Sequence, residues 1–152
     1  MKPSPGYGIG AIVLSLLILV LLFASCIAAR GAGIDTTKAV IHHTSSPDWS
    51  VDRIRKIHME ERNWDDIGYH FLIRRDGTIE KGRGLDKKGA HALGRNHWVG
   101  IALTGYNEFT GAQINSLVSL LDRLGVKHIE RHHEECPGTG LDIESIQEQI
   151  GG

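Results

Sequence analysis

The residues best suited to chemistry in this chain are two pairs of histidines and one cysteine. His42 and His43 follow a short apolar run, and His132 and His133 precede Cys136 near the end of the chain. Two imidazoles and a thiolate form a His2Cys set, and a catalytic zinc ion takes three such ligands and keeps one coordination position open. The spacing alone fits a solvent-facing histidine pair beside a buried thiol equally well. These residues therefore leave a metal centre and a purely structural arrangement as alternatives.

The elements that must position these residues alternate between strands and helices. Short runs rich in β-branched residues predict strands, and apolar residues at helical spacing predict helices. This alternation predicts an α/β layer with one central sheet. The predicted strands are 38–42, 69–74, 78–80, 99–104 and 128–131, and the predicted helices are 51–63, a helix capped by Thr110 and ended by Gly125, and a helix opened by Asp142.

The two histidine pairs come directly after two of these strands. Side chains at the ends of neighbouring strands converge on one edge of a sheet, where open α/β folds place their binding sites. We therefore expect both pairs, together with Cys136, to meet at that edge.

The N-terminal part of the chain has a different composition. Residues 8–29 carry no charge, and residues 12–23 are almost entirely leucine, isoleucine and valine. About 20 apolar residues span a bilayer as a helix, and a basic residue followed by a shorter apolar core is typical of a secretory signal. We favour a membrane anchor in residues 1–30. The alternatives are a lipoprotein signal at Cys26, which follows a lipobox-like sequence, and cleavage of a signal peptide near residues 24–29.

Residues 31–37 are predicted to be a linker, and residues 38–152 a single domain. The chain has 17 basic and 18 acidic residues, a balance that excludes a strongly basic nucleic-acid-binding protein. Cys136 is the only cysteine after the apolar segment, so no disulfide can form within the domain. Thiols of exported proteins tend to oxidise, and metal ligation would protect this one.

Several separated motifs occur in a fixed order along the domain. They are Val40-Ile41-His42-His43-Thr44, Ile67-Gly68-Tyr69-His70-Phe71, Gly89-Ala90-His91, Asn96, Val99-Gly100-Ile101, and His132 followed by Cys136-Pro137-Gly138. Together they resemble the zinc-dependent N-acetylmuramoyl-L-alanine amidases of the type-2 amidase family, which includes phage T7-type lysozymes and peptidoglycan recognition proteins. The resemblance covers residues 38–150. It implies an α/β fold with a single central mixed β-sheet flanked by helices, here preceded by one N-terminal hydrophobic helix.

The resemblance also implies a zinc site and a catalytic tyrosine. The family positions that bind Zn²⁺ correspond to His42, His132 and Cys136, and the catalytic tyrosine of the family corresponds to Tyr69. The implied reaction is hydrolysis of the amide bond between N-acetylmuramic acid and L-alanine in peptidoglycan. Zinc would activate water and polarise the carbonyl, and the hydroxyl of Tyr69 could stabilise the oxyanion.

Two further positions match residues that line the substrate groove in this family. They are His91 and Asn96, which we therefore predict to contact the glycan-peptide substrate. The alternatives are a packed strand position for Tyr69 and a turn-forming role for Asn96.

The chain departs from the family between its late histidine and its cysteine. The family usually has a longer link there, and many members carry lysine or threonine two residues before the cysteine, where this chain has Glu134. We predict that Glu134 is the general base, because a carboxylate near zinc can take a proton from water and pass it to the leaving amine. Glu135 is the alternate base, and a solvated acidic loop is the third possibility.

The predicted protein is a monomeric amidase that faces the periplasm or the cell wall. Its expected partners are peptidoglycan and, through the N-terminal segment, a membrane. The alternative locations are those of a lipoprotein or a secreted protein. The sequence is compatible with an enzyme of a bacterial cell and with an enzyme of a phage. The alternative function is a non-catalytic peptidoglycan-recognition module of the same fold. Such modules typically lose the cysteine ligand, so the presence of Cys136 favours the enzyme.

Overall fold

The computed structural model describes residues 33–151, which contain a five-stranded sheet. The strands are β1 (Asp35–His43), β2 (Phe71–Ile73), β3 (Ile79–Lys81), β4 (Trp98–Leu103) and β5 (His128–Arg131). Their order is β3-β2-β4-β1-β5. β1 is parallel to both of its neighbours, β2 is parallel to β4, and only β2 and β3 are antiparallel. The single central mixed sheet is thereby confirmed.

Within the same residues the helices are α1 (Val51–Glu60), α2 (Gly111–Leu124) and α3 (Ile143–Gly151). Ser50 caps α1 with its side chain, and Thr110 and Gln113 form a capping box at the start of α2. The left-handed Gly125 ends α2 as predicted. At α3 the carboxylate of Asp142 accepts the N–H of Ser145 at 2.9 Å.

Side chains that alternate along the strands give the sheet two packed faces. The larger core lies against α2 and α3, and the smaller core lies against α1 and contains Ile54, Ile67, Leu72 and Ala102. His42 is paired in register with Ala102, which is paired in turn with Leu72. Cross-strand partners share a face, so the side chain of His42 emerges on the α1 face near the carboxyl end of β1.

Three element boundaries differ from the predicted ones by two residues or more. Helix α1 ends at Glu60 because Asn63, with φ 56°, has a left-handed backbone that no α-helix continues. Strand β1 begins at Asp35, inside the predicted linker, where polar residues and a shift of register hide the strand pattern. Strand β2 begins only at Phe71, although the N–H of His70 still donates to Gly100 of β4 at 2.8 Å.

None of the helices within residues 33–151 combines the length and the apolar character needed to cross a membrane. The segment 8–29, for which the sequence predicts an anchor or a signal, lies outside the described residues. The predicted N-terminal hydrophobic helix lies outside them as well.

Candidate metal centre and active site

Three potential metal ligands meet at the carboxyl ends of β1 and β5. His42 lies near the end of β1, His132 directly follows β5, and Cys136 comes after a short turn. Their donor atoms all lie within 4.8 Å of one another, and the ring centroids of the two histidines are 4.6 Å apart. Because β1 and β5 are adjacent and parallel, the predicted convergence of these strand ends is confirmed.

A chain of hydrogen bonds determines which nitrogen of His42 is free. Its Nε2 lies 3.1 Å from Nδ1 of His91, and Nε2 of His91 lies 3.2 Å from the carbonyl oxygen of Trp98. A carbonyl only accepts, so neutral His91 carries its proton on Nε2 and accepts at Nδ1. The Nε2–H of His42 therefore donates to His91. Nδ1 of His42 keeps a free lone pair, as a metal ligand requires.

The loop between β3 and β4 holds His91 in this position. The side-chain Oδ1 of Asn96 accepts the backbone N–H groups of His91 and Ala92, each at 2.8 Å. The amide oxygen of Asn96 is thus occupied by hydrogen bonds within the loop that carries His91. This differs from the predicted place in the substrate groove, because two N–H groups of the loop need an acceptor.

Two glycines make room for the His91 ring. A Cβ atom at Gly89 or at Gly100 would lie 2.4 Å from Cδ2 of His91. No carbon atom fits at that distance, so both positions need glycine for the ring to sit where it does. His91 is buried, yet its ring reaches the wall of the cleft described below.

Cys136 is held by a tight turn. The N–H of His133 donates to the carbonyl of Cys136 at 3.2 Å, and the reverse bond measures 3.0 Å. Glu134 and Glu135 form the exposed tip of this turn. The N–H of His43 lies 3.4 Å from Sγ of Cys136 and donates to it. Such a donor favours the thiolate, which is the metal-binding form of cysteine.

Burial controls the protonation of these donors. It is the largest cause that lowers the pKa of His42 far below its usual value, and it also lowers the pKa of His132. Both imidazoles are therefore neutral at pH 7, as ligation requires. Burial raises the pKa of the Cys136 thiol, against the donation from His43. A bound cation would reverse that rise, because it stabilises the thiolate directly.

Tyr69 lies beside the metal-ligand set. Its ring centroid is 5.2 Å from that of His42 and 5.6 Å from that of His58, which packs behind it. Burial, with a smaller contribution from Cys136, raises the pKa of Tyr69 to about 12. The hydroxyl therefore stays protonated at neutral pH and can donate a hydrogen bond.

The three potential ligands open into a cleft of about 1010 Å³. Tyr69, His91 and Glu134 line the cleft together with the ligands. The walls also include four residues that no sequence motif indicated, Arg62, Trp64, Asn107 and Thr139. The Arg62 guanidinium lies 5.2 Å from the centroid of the Trp64 ring. Arg62 and Trp64 come just after the end of α1, and this position was the one feature of the sequence that could have indicated their place in the cleft.

The chemistry of the donor set fits Zn²⁺. Two imidazole nitrogens and one thiolate are ligands that zinc prefers, whereas Mg²⁺ and Ca²⁺ prefer oxygen. Three protein ligands would leave a coordination position for water or substrate. A centre with these donors, next to a hydroxyl donor in an open cleft, suits hydrolysis rather than a closed structural site.

Comparisons with known proteins agree with this chemistry. The N-acetylmuramoyl-L-alanine amidase family matches residues 33–139. The endolysin of Escherichia phage T7 is 40% identical over 120 residues, which cover 68% of this chain and 79% of the phage protein. Peptidoglycan-recognition protein SC2 of Drosophila melanogaster is 35% identical over 126 residues, which cover 68% of each chain.

A solved structure gives the same result at the level of the fold. The N-acetylmuramoyl-L-alanine amidase LysC from Clostridium intestinale URNW has a TM-score of 0.70 and 34% sequence identity. The match covers 77% of this chain and 86% of the LysC chain. The fold, the motifs along the chain and the matched residues lead to one assignment: the chain belongs to the N-acetylmuramoyl-L-alanine amidase family.

Proposed function

We propose that this protein hydrolyses the amide bond between N-acetylmuramic acid and L-alanine in peptidoglycan, and that it does so with a zinc ion held by His42, His132 and Cys136. The observation that carries the proposal is the convergence of these three donors within 4.8 Å of one another, in a cleft also lined by Tyr69. The relatives named as endolysin and amidase support the same reaction.

The residues of the chain prepare the site for the ion. His42 presents Nδ1 because His91 takes its other nitrogen, and the N–H of His43 favours the thiolate form of Cys136. Bound zinc would supply a Lewis acid for the substrate carbonyl and an activated water molecule at neutral pH.

Tyr69 would stabilise the charge that develops on the substrate oxygen. Its protonated hydroxyl is a hydrogen-bond donor at the wall of the cleft, and its ring packs against His42. Donors that are already in place before the reaction lower the barrier without reorganisation.

Glu134 would move the proton. In this proposal its carboxylate takes a proton from the attacking water and delivers it to the amine of L-alanine, which leaves as the carbon–nitrogen bond breaks. Glu134 and Glu135 share the tip of the turn before Cys136, and both line the cleft. Glu135 is the alternate base.

Peptidoglycan binding without cleavage is the second candidate function. The similarity to a peptidoglycan-recognition protein favours it. The thiol of Cys136 beside two histidines argues for the enzyme, because simple recognition of peptidoglycan does not need a metal-binding thiol.

The same proposal includes a location. Residues 1–30 would anchor the protein in a membrane, with the amidase domain facing the cell wall and acting as a monomer. Fractionation of cells and extraction of membranes at high pH would test the anchor, and a Cys26→Ser variant would separate it from lipidation. A protein released without detergent and shortened at its N-terminus would instead indicate a cleaved signal.

The deciding experiment uses the full-length chain, purified in mild detergent, and purified peptidoglycan. We expect new N-terminal L-alanine to appear, to stop appearing with a chelator, and to return with Zn²⁺. A Cys136→Ser variant serves as the matched control and should bind the polymer without releasing alanine. Binding by the unchanged chain with no release of alanine would assign the recognition function instead.

A further inference from the structure

The second histidine ligand lies where the sheet offers little support. Within residues 33–151, β5 is an edge strand that pairs with β1 alone, and their pairing runs from Lys38 with His128 to Ile41 with Arg131. His132 comes directly after the last pair, and its own N–H donates to the carbonyl of Ile41 at 3.2 Å. The tight turn to Cys136 follows at once. The backbone that carries His132 therefore needs a contact from outside the strand.

Arg95 provides that contact. One guanidinium nitrogen, Nη2, donates to the carbonyl oxygen of His132 at 2.7 Å. The other, Nη1, donates to the carbonyl of Arg131 at 3.1 Å and to Oε2 of Glu130 at 2.7 Å. A guanidinium presents its N–H donors to these three acceptors in one rigid plane, whereas the three donors of an ammonium group are tetrahedral and rotate. The contact is with the main chain of His132, so the imidazole is left free.

The loop that carries Arg95 is itself well ordered by hydrogen bonds. The N–H of Arg95 donates to the carbonyl of Ala92 at 2.9 Å, and the carbonyl of Arg95 accepts the N–H of Trp98 at 3.0 Å. Asn96 fixes the preceding turn and His91 within it. One loop thus contacts His42 through His91 and the backbone of His132 through Arg95.

We propose that Arg95 is a positioning residue for the metal centre: it fixes the backbone of His132 and thereby sets the distance between the two histidine ligands. The inference rests on the proposed zinc site. It assigns to Arg95 a role in metal affinity and coordination geometry, with no contact to substrate.

Zinc affinity of the full-length chain, measured by competition with a chromophoric chelator, tests this role. Arg95→Met keeps the aliphatic stem and removes the guanidinium, and we expect it to weaken zinc binding by about 10- to 100-fold, the usual effect of losing an outer contact of a ligand. Arg123→Met is the matched control, because Arg123 is exposed on the last turn of α2, and it should bind zinc like the unchanged chain.

Cobalt substitution adds a spectroscopic readout. We expect the thiolate-to-Co²⁺ and visible bands of Arg95→Met to shift, because a displaced His132 changes the ligand geometry. If Arg95→Met does not fold, Arg95→Lys serves as the test. Lysine retains the charge but lacks the planar set of guanidinium donors, so this variant should show weaker zinc binding and altered Co²⁺ bands. Unchanged affinity and spectra in the folded Arg95 variant would overturn the inference, and so would an equal loss in Arg123→Met. Failure of the unchanged chain to bind zinc would instead overturn the proposed zinc site itself.

Discussion

Nε2 of His42 donates to Nδ1 of His91 across 3.1 Å, and this contact determines that Nδ1 is the nitrogen of His42 available to a metal ion. His91 can accept only because its own proton is committed to the carbonyl of Trp98. The tautomer of a ligand is thus set by a backbone carbonyl two hydrogen bonds away. Ligand histidines in metal sites depend in general on such outer partners.

Replacing His91 should therefore weaken zinc binding without removing a ligand. His91→Phe retains a ring in the space left by Gly89 and Gly100 but offers no acceptor. We expect a loss of zinc affinity of about 10- to 100-fold. His91→Gln, which retains an acceptor oxygen, should recover part of it. Chelator competition measures both, and equal affinity in the phenylalanine variant and the unchanged chain would contradict the role of His91.

Removing the hydroxyl of Tyr69 should slow the chemical step and leave the metal in place. For Tyr69→Phe we expect kcat to fall about 100- to 1000-fold, as for other enzymes that lose one donor to a developing oxyanion. KM for soluble peptidoglycan fragments should change little, because the interaction forms mainly in the transition state. Zinc affinity is the control and should stay unchanged. A variant with full kcat would exclude Tyr69 from the reaction.

The two glutamates before Cys136 provide a matched pair of variants. Glu134→Gln removes the proposed base with almost no change in volume, and we expect turnover to fall about 100-fold or more. Glu135→Gln makes the same chemical change on the neighbouring residue at the tip of the same turn and should leave turnover near its normal value. The reverse pattern would assign the base to Glu135. Normal turnover in both variants would indicate an acidic loop without a catalytic role.

Asp48 should make the stability of the domain depend on acid pH. Its carboxylate accepts from Arg74 at 2.9 Å, from the N–H of Arg75 at 3.0 Å and from the hydroxyl of Thr104 at 2.7 Å. These bonds, that of Arg74 first, hold the pKa of Asp48 well below its usual range. The stabilisation is therefore complete above the unfolded pKa, about 3.9, and is lost as the pH falls toward the folded pKa.

Asp48→Asn should lower the free energy of unfolding at pH 7 by about 1–2 kcal/mol, a figure reduced because the carboxylate is partly exposed to solvent. Its stability should also fall less steeply below pH ~4 than that of the unchanged chain. Denaturant unfolding with a chelator present measures this effect without the contribution of metal release. Asp52→Asn is the control, since the Asp52 side chain is 85% exposed. If the free energy of unfolding fell equally steeply at acid pH in the Asp48 variant and in the unchanged chain, this would contradict the assignment.

Local sequence patterns predict the structure correctly where neighbouring residues determine it. The capping box of Thr110 and Gln113 and the terminal Gly125 marked both ends of α2. These patterns do not predict the contacts that distant residues make. The contact between His42 and His91 joins residues 49 positions apart, and the bond from Arg95 to His132 joins residues 37 positions apart. No local periodicity records such pairs, so the role of Arg95 became visible only in the folded chain.

The position of β5 has a consequence for the lifetime of the protein. An ion shared by His42, His132 and Cys136 would connect the end of the edge strand β5 to its neighbour β1, so loss of the ion and local opening of this edge become coupled events. Amide protons of residues 128–131 should exchange with deuterium faster after chelation, whereas those of residues 99–103 should not. The bound ion would then also protect the protein against proteolysis, and molecules that lose their metal would be the first to be degraded.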